Sequence, residues 1–267
     1  QITQLETVDL AAFSDAQVGA LTTAQIEKLN TASIAALDYR VGKFTTAQLQ
    51  ALTTTQVGAL SVRQVTGLDT TQLSSLSTAQ IQKVITQAVA ALSTAQIANL
   101  LTTQVEKLTT AQVAAFTSNE ARALTTSQVQ GMTSTQVNAL TTSNLAALQT
   151  QQVASLITAQ LEGLTTIGAQ ALTTAQVQAI TTAQLQKLNT SAVSNLKTSQ
   201  VAALLTGQVN ALTQSQVENL STQQVNALLT TQVQALSTDQ VGYLSSSQVK
   251  NLTTSQVQAL SSTQITH

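Results

Sequence analysis

The chain has 267 residues, of which 43% are hydrophobic, 2% aromatic and 8% charged, with no Pro, Cys or Trp and a net charge of −1. So little net charge leaves no electrostatic footprint for nucleic acid or anionic lipid, and the absence of Cys excludes disulfide staples and thiolate metal sites. No apolar run approaches the ~18 residues of a membrane-spanning helix and no charged-then-apolar start marks a signal peptide, so no nucleic-acid partner and no membrane insertion are expected.

In chain order, apolar anchors at Leu5, Phe13, Leu21, Leu29 and Leu37 open an eight-residue rhythm. Asp38-Tyr39-Arg40-Val41-Gly42-Lys43 then shifts the register by one residue. From Phe44 to Leu260 an anchor falls at every eighth position, 28 in all, each Leu or another apolar residue. A second apolar set, mostly Val, lies five residues after each anchor, and the residue before it is Gln in 23 of the 28 octads. The residue after the anchor is Ser, Thr, Asp or Asn in 21 of 28. Fixed self-similarity of this kind is the signature of a repeat architecture. Residues 1–267 are therefore read as one array of about 33 octads, slipped at 38–43, and as a fragment of a longer protein. His267, the only His, is expected to be a tag remnant.

One octad carries its own instructions for a short helix. In Leu172-Thr173-Thr174-Ala175-Gln176-Val177-Gln178-Ala179, Thr173 is placed as the N-cap and Gln176, three residues on, completes a capping box. Val177 at the fourth helical position is placed to meet Leu172 as a hydrophobic staple. A continuous helix fails, because eight residues at 100° each rotate the apolar stripe by about 80° per octad. A coiled coil fails likewise, since its seam repeats every 3.5 residues. The expected fold is all-α, a solenoid of short capped helices, one per octad. The alternative is a β-solenoid, favoured by Thr and Val content but disfavoured by apolar spacings of five and three and by only nine Gly at no fixed octad position.

A slower rhythm lies over the octad. The residue before each anchor is usually Ala, as at Ala115, Ala139, Ala171, Ala203 and Ala235, and the exceptions recur in clusters about three and a half octads apart. This spacing predicts a superhelix of about 3.5 octads per turn whose sides differ; seven-octad duplication is the alternative. The Ala positions are expected to form a side suited to lateral self-association, with Glu106, Glu162 and Glu218 on the far side.

Nothing in the chain has the spacing of a catalytic, metal or cofactor site, and no cofactor is expected. Glu27-Lys28 and Glu106-Lys107 are adjacent pairs that read as solvated surface. Asn189, Asn219 and Asn251 begin glycosylation-like tripeptides, a weak signal where Ser and Thr are so common. The octads at Thr117–Ala121 and Thr165–Ala169 depart from the pattern and read as tolerated drift. The second Thr of each pair, such as Thr174 or Thr182, is not needed for capping; aligned on one side, these residues would make a ridge for ice, glycan or mineral.

Strings such as LTTAQV, LSTAQI and LTTSQV at Leu172, Leu92 and Leu252 resemble octad-repeat regions of very large bacterial surface or adhesin-like proteins. They are also similar to the repetitive C-terminal domain of a magnetotaxis-associated protein of magnetotactic bacteria. The resemblance implies a helical solenoid of bacterial, extracellular or cell-surface origin, acting as a spacer or assembly rod, and it transfers no site residues. Far-UV circular dichroism should show paired helical minima; a single strand-type minimum would establish the β-solenoid instead.

Overall fold

The regular octad folds as its capping signals dictate. Thr173 adopts an extended conformation (φ −73°, ψ 162°) and its Oγ1 accepts from the Gln176 amide at 3.2 Å, while Gln176 Oε1 accepts from the Thr173 amide at 2.7 Å. The two bonds satisfy N–H groups that a helix start leaves without intrahelical partners. The helix Thr174–Ala179 then ends at Ile180, whose extended backbone (φ −65°, ψ 126°) turns the chain into the next Thr pair. In the computed structural model, which describes residues 2–266, this unit recurs as 32 α-helices of four to six residues and two 3-10 helices, with no strand among the described residues. The all-α solenoid stands and the β-solenoid is excluded. His267 lies outside the described residues.

The described chain comprises two compact units, Gln1–Met132 and Thr133–His267. Within each, every octad packs on octads about one turn away, as the helix Thr46–Gln50 does on Thr70–Ser75 and Thr174–Ala179 does on Thr198–Ala202. Anchors and the Val set together make the core, with Leu172, Val177, Leu196 and Val201 each at most 5% exposed. Stacking, not the octad alone, provides this burial. Val225 and Val233 are 0% and 1% exposed beneath a following turn, whereas Val249 and Val257, in the same octad position where the described turns end, are 47% and 46% exposed.

What joins one turn to the next is the Gln. Its Oε1 is held by the capping box, which aims Nε2 across to the neighbouring turn. Gln176 Nε2 donates to the carbonyls of Leu145 (2.9 Å) and Leu148 (2.6 Å), 31 and 28 residues back. Gln128 does the same to Ile97 and Leu100 in the first unit, and Gln208 to Val177 and Ile180 in the second. A span of 28 residues is three and a half octads, the pitch expected from the slower rhythm. The half is essential, since Gln stands four residues past its own anchor and so meets an anchor carbonyl of the preceding turn rather than another Gln.

The register slip keeps this scheme. Leu37 and Phe44 are seven residues apart, and the 3-10 helix Asp38–Lys43 replaces an α-helix. Asp38 there has φ +46°, the one positive φ outside glycine among the described residues, in a region that Asp tolerates better than most side chains. Arg40 takes the place of the Gln, donating from its guanidinium to the Phe13 carbonyl at 2.6 Å, 27 residues back. Gln48 and Gln56 likewise reach the anchors Leu21 and Leu29 across 27 residues.

Gln176→Ala would leave the Leu148 carbonyl and the Thr173 amide without these partners, at roughly 1–3 kcal/mol each, and would take from the Leu145 carbonyl one of its two bonds, the other being from the Leu148 amide. A local loss of about 3 kcal/mol or more is expected, read as faster hydrogen exchange in the two adjoining turns. Thr174→Ala, at an exposed hydroxyl, should stay within about 0.5 kcal/mol.

Candidate functional site

The most chemically specialised part of the molecule is its interior row of side-chain amides, so each departure from Gln tests what the row requires. In 23 of the 28 regular octads it is present, and the buried members are 1–8% exposed. Among the described residues no buried side-chain nitrogen or oxygen lacks a partner.

The N-cap hydroxyl is the more dispensable half of the capping box. Leu101, Ile157, Leu205 and Leu229 stand at N-cap positions with 45–54% exposure and no hydroxyl, yet the Gln of each octad still accepts from the N-cap amide, at 2.7–2.9 Å. An N-cap hydroxyl is worth about 1 kcal/mol; the Gln engages both its oxygen and its nitrogen in the interior, and two of its replacements are compensated by an Asn, whereas Ala88, behind Ile85 at the N-cap, has no side-chain cap. Where Ala192 stands for Gln, the N-cap is Asn189. Its Oδ1 accepts from the Ala192 amide at 2.8 Å, and its Nδ2 reaches the carbonyls of Glu162 (3.2 Å) and Leu164 (2.7 Å) in the preceding turn. Leu164 is the anchor that a Gln at 192 would have served. The same substitution recurs at the other N-cap Asn: Asn30 Oδ1 accepts from the Ser33 amide, in another octad without Gln. Where Gly168 stands for Gln, Asn138 of the preceding turn accepts from the Thr165 amide at 3.0 Å while donating to the Gly163 carbonyl at 2.7 Å. The octad at Thr165–Ala169 is therefore compensated rather than merely drifting.

A second, outer set of amides links turns in the opposite direction. Gln178 Nε2 donates to the Ala203 carbonyl (2.9 Å) and Asn210 Nδ2 to the Ala235 carbonyl (2.8 Å), each 25 residues ahead. The residue before the anchor thus lies at a turn–turn contact, which accounts for its small size. A Cβ added to Gly163 would come within 2.9 Å of Ser134 Cβ, and one at Gly131 would collide with the Thr102 methyl. Ala115, Ala139, Ala171, Ala203 and Ala235 are all half-buried. Within the second unit, Ala139, Ala171, Ala203 and Ala235 succeed one another by four octads, half an octad more than a turn, so each is rotated by about a seventh of a turn from the last. Glu162 and Glu218 are exposed and two turns apart, with Glu218 accepting from the Gln214 side-chain amide at 2.7 Å. Glu106 pairs with Lys107 at 2.7 Å.

Thr174 and Thr182 are both exposed, but successive octads step a little over a quarter turn around the axis, so their hydroxyls follow a helical track. Asn219 and Asn251 are exposed, each bonded to a carbonyl four residues back, whereas the Asn189 amide is engaged between turns. A surface groove between turns is lined by Thr198, Thr222, Gln223, Asn226, Ala227 and Asn251, with no charged side chain. Among the described residues no three His, Asp or Glu side chains group as metal ligands, and no helix is long and apolar enough to cross a membrane.

The inner and outer amides were unforeseen from spacing, because their partners lie 25 to 31 residues away. The coincidence of Asn at an N-cap with loss of Gln three residues later was the signal available. Asn189→Ala should cost more than Thr173→Ala, since it removes the cap and two bonds to the preceding turn. Restoring the consensus with Asn189→Thr and Ala192→Gln together should recover stability, measured by urea unfolding of the full chain.

Comparison with known sequences supports the repeat reading. A family model described as the ALTTAQ repeat matches residues 2–38, 86–118, 107–142, 118–150, 177–214 and 214–246. A search of curated proteins found no match. The family's descriptive string stands verbatim at Ala171–Gln176, and it spells the pre-anchor residue, the anchor, the capping Thr and the Gln that bridges turns. With the matches spread over well more than half of its length, this chain belongs to the ALTTAQ-repeat family.

Proposed function

We propose that the array is a structural module, a spacer or assembly scaffold in a large bacterial protein at the cell surface. The observation that carries this reading is the fate of the recurrent polar residue of the octad: Gln is consumed in joining each turn to the last, as at Gln176 and Gln208. What remains outside is a repeated Thr, Ser and Ala surface without convergent charged groups. Such a module adds length by adding turns, and the absence of Pro and Cys suits a stable, redox-indifferent spacer. The surface location rests on the resemblance to bacterial adhesin-like repeats. A scaffold of this kind would associate side to side through Ala115, Ala139, Ala171, Ala203 and Ala235, using the half of each methyl that the neighbouring turn leaves open. The rotation between successive alanines limits such a contact to two or three of them at a time.

Small-angle scattering is expected to give a rod-like distance distribution. Deleting residues 173–228, seven octads or two full turns, should rejoin the register and shorten the longest dimension in proportion, without loss of helicity. A compact globule, or collapse of the shortened chain, would overturn the spacer reading. Substituting Ala139, Ala171 and Ala203 by Gln should weaken association in sedimentation velocity; a strict monomer at high concentration before substitution would remove the lateral contact.

A further inference from the structure

One member of the inner amide row is an acid. Glu120 occupies the Gln position of its octad, is 3% exposed, and its carboxyl accepts from the Thr117 amide at 2.5 Å, as Gln Oε1 does elsewhere. Its own amide is capped by Thr117 Oγ1 at 3.3 Å. The backbone and the capping box are therefore those of a regular octad, and the second carboxyl oxygen stands where Gln carries its nitrogen. On either side, Gln112 Nε2 donates to the carbonyls of Ile81 and Val84, and Gln128 Nε2 to those of Ile97 and Leu100. The register assigns the carbonyls of Val89 and Leu92 to position 120. An amide nitrogen has two hydrogens for such a pair, whereas an ionised carboxylate has none and would set oxygen against oxygen in a site largely withdrawn from water.

We infer that Glu120 is a proton-binding site built into the turn contact: its carboxyl carries a proton in the folded chain and donates it to the Leu92 or Val89 carbonyl, and loss of that proton loosens this contact alone. Among the described residues no cation stands by to replace the proton. The helices Thr86–Val89 and Thr94–Asn99 beneath it carry no titratable residue, nor do its neighbours in the chain Thr110–Ala114 and Thr126–Gly131. On its own helix Arg122 is exposed, and Glu106 and Lys107 on Thr102–Lys107 pair with each other. Burial pushes the Glu120 carboxyl above the ordinary carboxylate range, against the lowering effect of its two bonds with Thr117. The sign follows: a group whose folded value is raised contributes its stabilisation in full below the unfolded value and loses it as pH rises through the folded one. The contact between the octads at Ser93 and Thr117 is thus tighter in acid than at neutral pH, the reverse of the usual salt-bridged carboxylate.

The test uses the full chain with 13C-labelled glutamate. The Cδ resonance lost in Glu120→Gln should titrate at higher pH than those of Glu6, Glu27, Glu106, Glu162 and Glu218. Protection factors of the amides in Ser93–Leu100 and Thr117–Leu124 should fall from pH 4 to pH 8 in the wild type and stay level in Glu120→Gln. Glu120→Gln restores the octad consensus and is expected to fold. Titration of Glu120 together with the other five glutamates, or pH-independent protection, would overturn the proposal. Recovery of protection at pH 8 on adding Na+ or Ca2+, without acid, would also overturn it, by replacing the proton with a metal ion.

Discussion

Everything in this molecule depends on one side chain that makes two connections with a single amide. The oxygen of Gln176 completes the cap of its own helix, and the nitrogen binds the turn before. These functions are coupled, because the capping box fixes the amide plane and so aims the N–H groups. An eight-residue unit could be built with other caps, but few side chains present an acceptor and two donors on one rigid plane. An ionised glutamate keeps the acceptor and loses the donors; asparagine, a methylene shorter, performs both roles from the N-cap at Asn189.

The pitch follows from the same group. With a whole number of octads per turn, Gln would stack over Gln and anchor over anchor, leaving the anchor carbonyls to find other donors. At three and a half octads the amide of one turn faces the anchor carbonyl of another, at the helix end, together with the carbonyl three residues before it, which also accepts from the anchor amide, as at Leu148 and Leu145. The short helices thereby turn a liability into the inter-turn bond: helix ends expose carbonyls, and the Gln at the start of each regular helix supplies the donors that meet them. Shortening the chain by one residue at Asp38–Lys43 changes the span from 28 to 27 and brings in Arg40, yet leaves the pattern of bonds intact.

How much of this was legible in the sequence divides along contact range. The capping box joins residues three apart, so Thr173 and Gln176 announce it directly, and the apolar spacing of five and three identifies the buried face. The pitch was readable only through a secondary trace, the recurrence about once per three and a half octads of departures from Ala before the anchor. The inter-turn bonds left no trace of their own, because a Gln occupied in capping already explains its presence. Ala before the anchor was likewise overdetermined: a small residue there reads as a contact surface, and the structure shows that the neighbouring turn already occupies part of it, as at Gly163 beside Ser134. Compensation was the missed evidence. Asn30 with Ser33, and Asn189 with Ala192, are paired departures within single octads, and paired departures in a repeat mark physical coupling as surely as paired columns in an alignment would.

The same logic separates architecture from chemistry in this family. A repeat that commits its distinctive polar group to the interior offers the outside only what varies from octad to octad without harming the row. Leu101, Ile157, Leu205 and Leu229 show how freely the N-cap side chain varies, since the Gln holds the helix start without it. Recognition by such a surface must arise from exceptions placed on a uniform lattice whose geometry is set by the bonds from each turn to the last. Positions seven octads apart share a side, two turns up, and neighbouring octads face a little over a quarter turn apart. A partner reading this surface therefore reads a pattern spaced by whole pairs of turns, and the exposed Glu162 and Glu218, which obey that spacing, show that the array can hold an exception in phase.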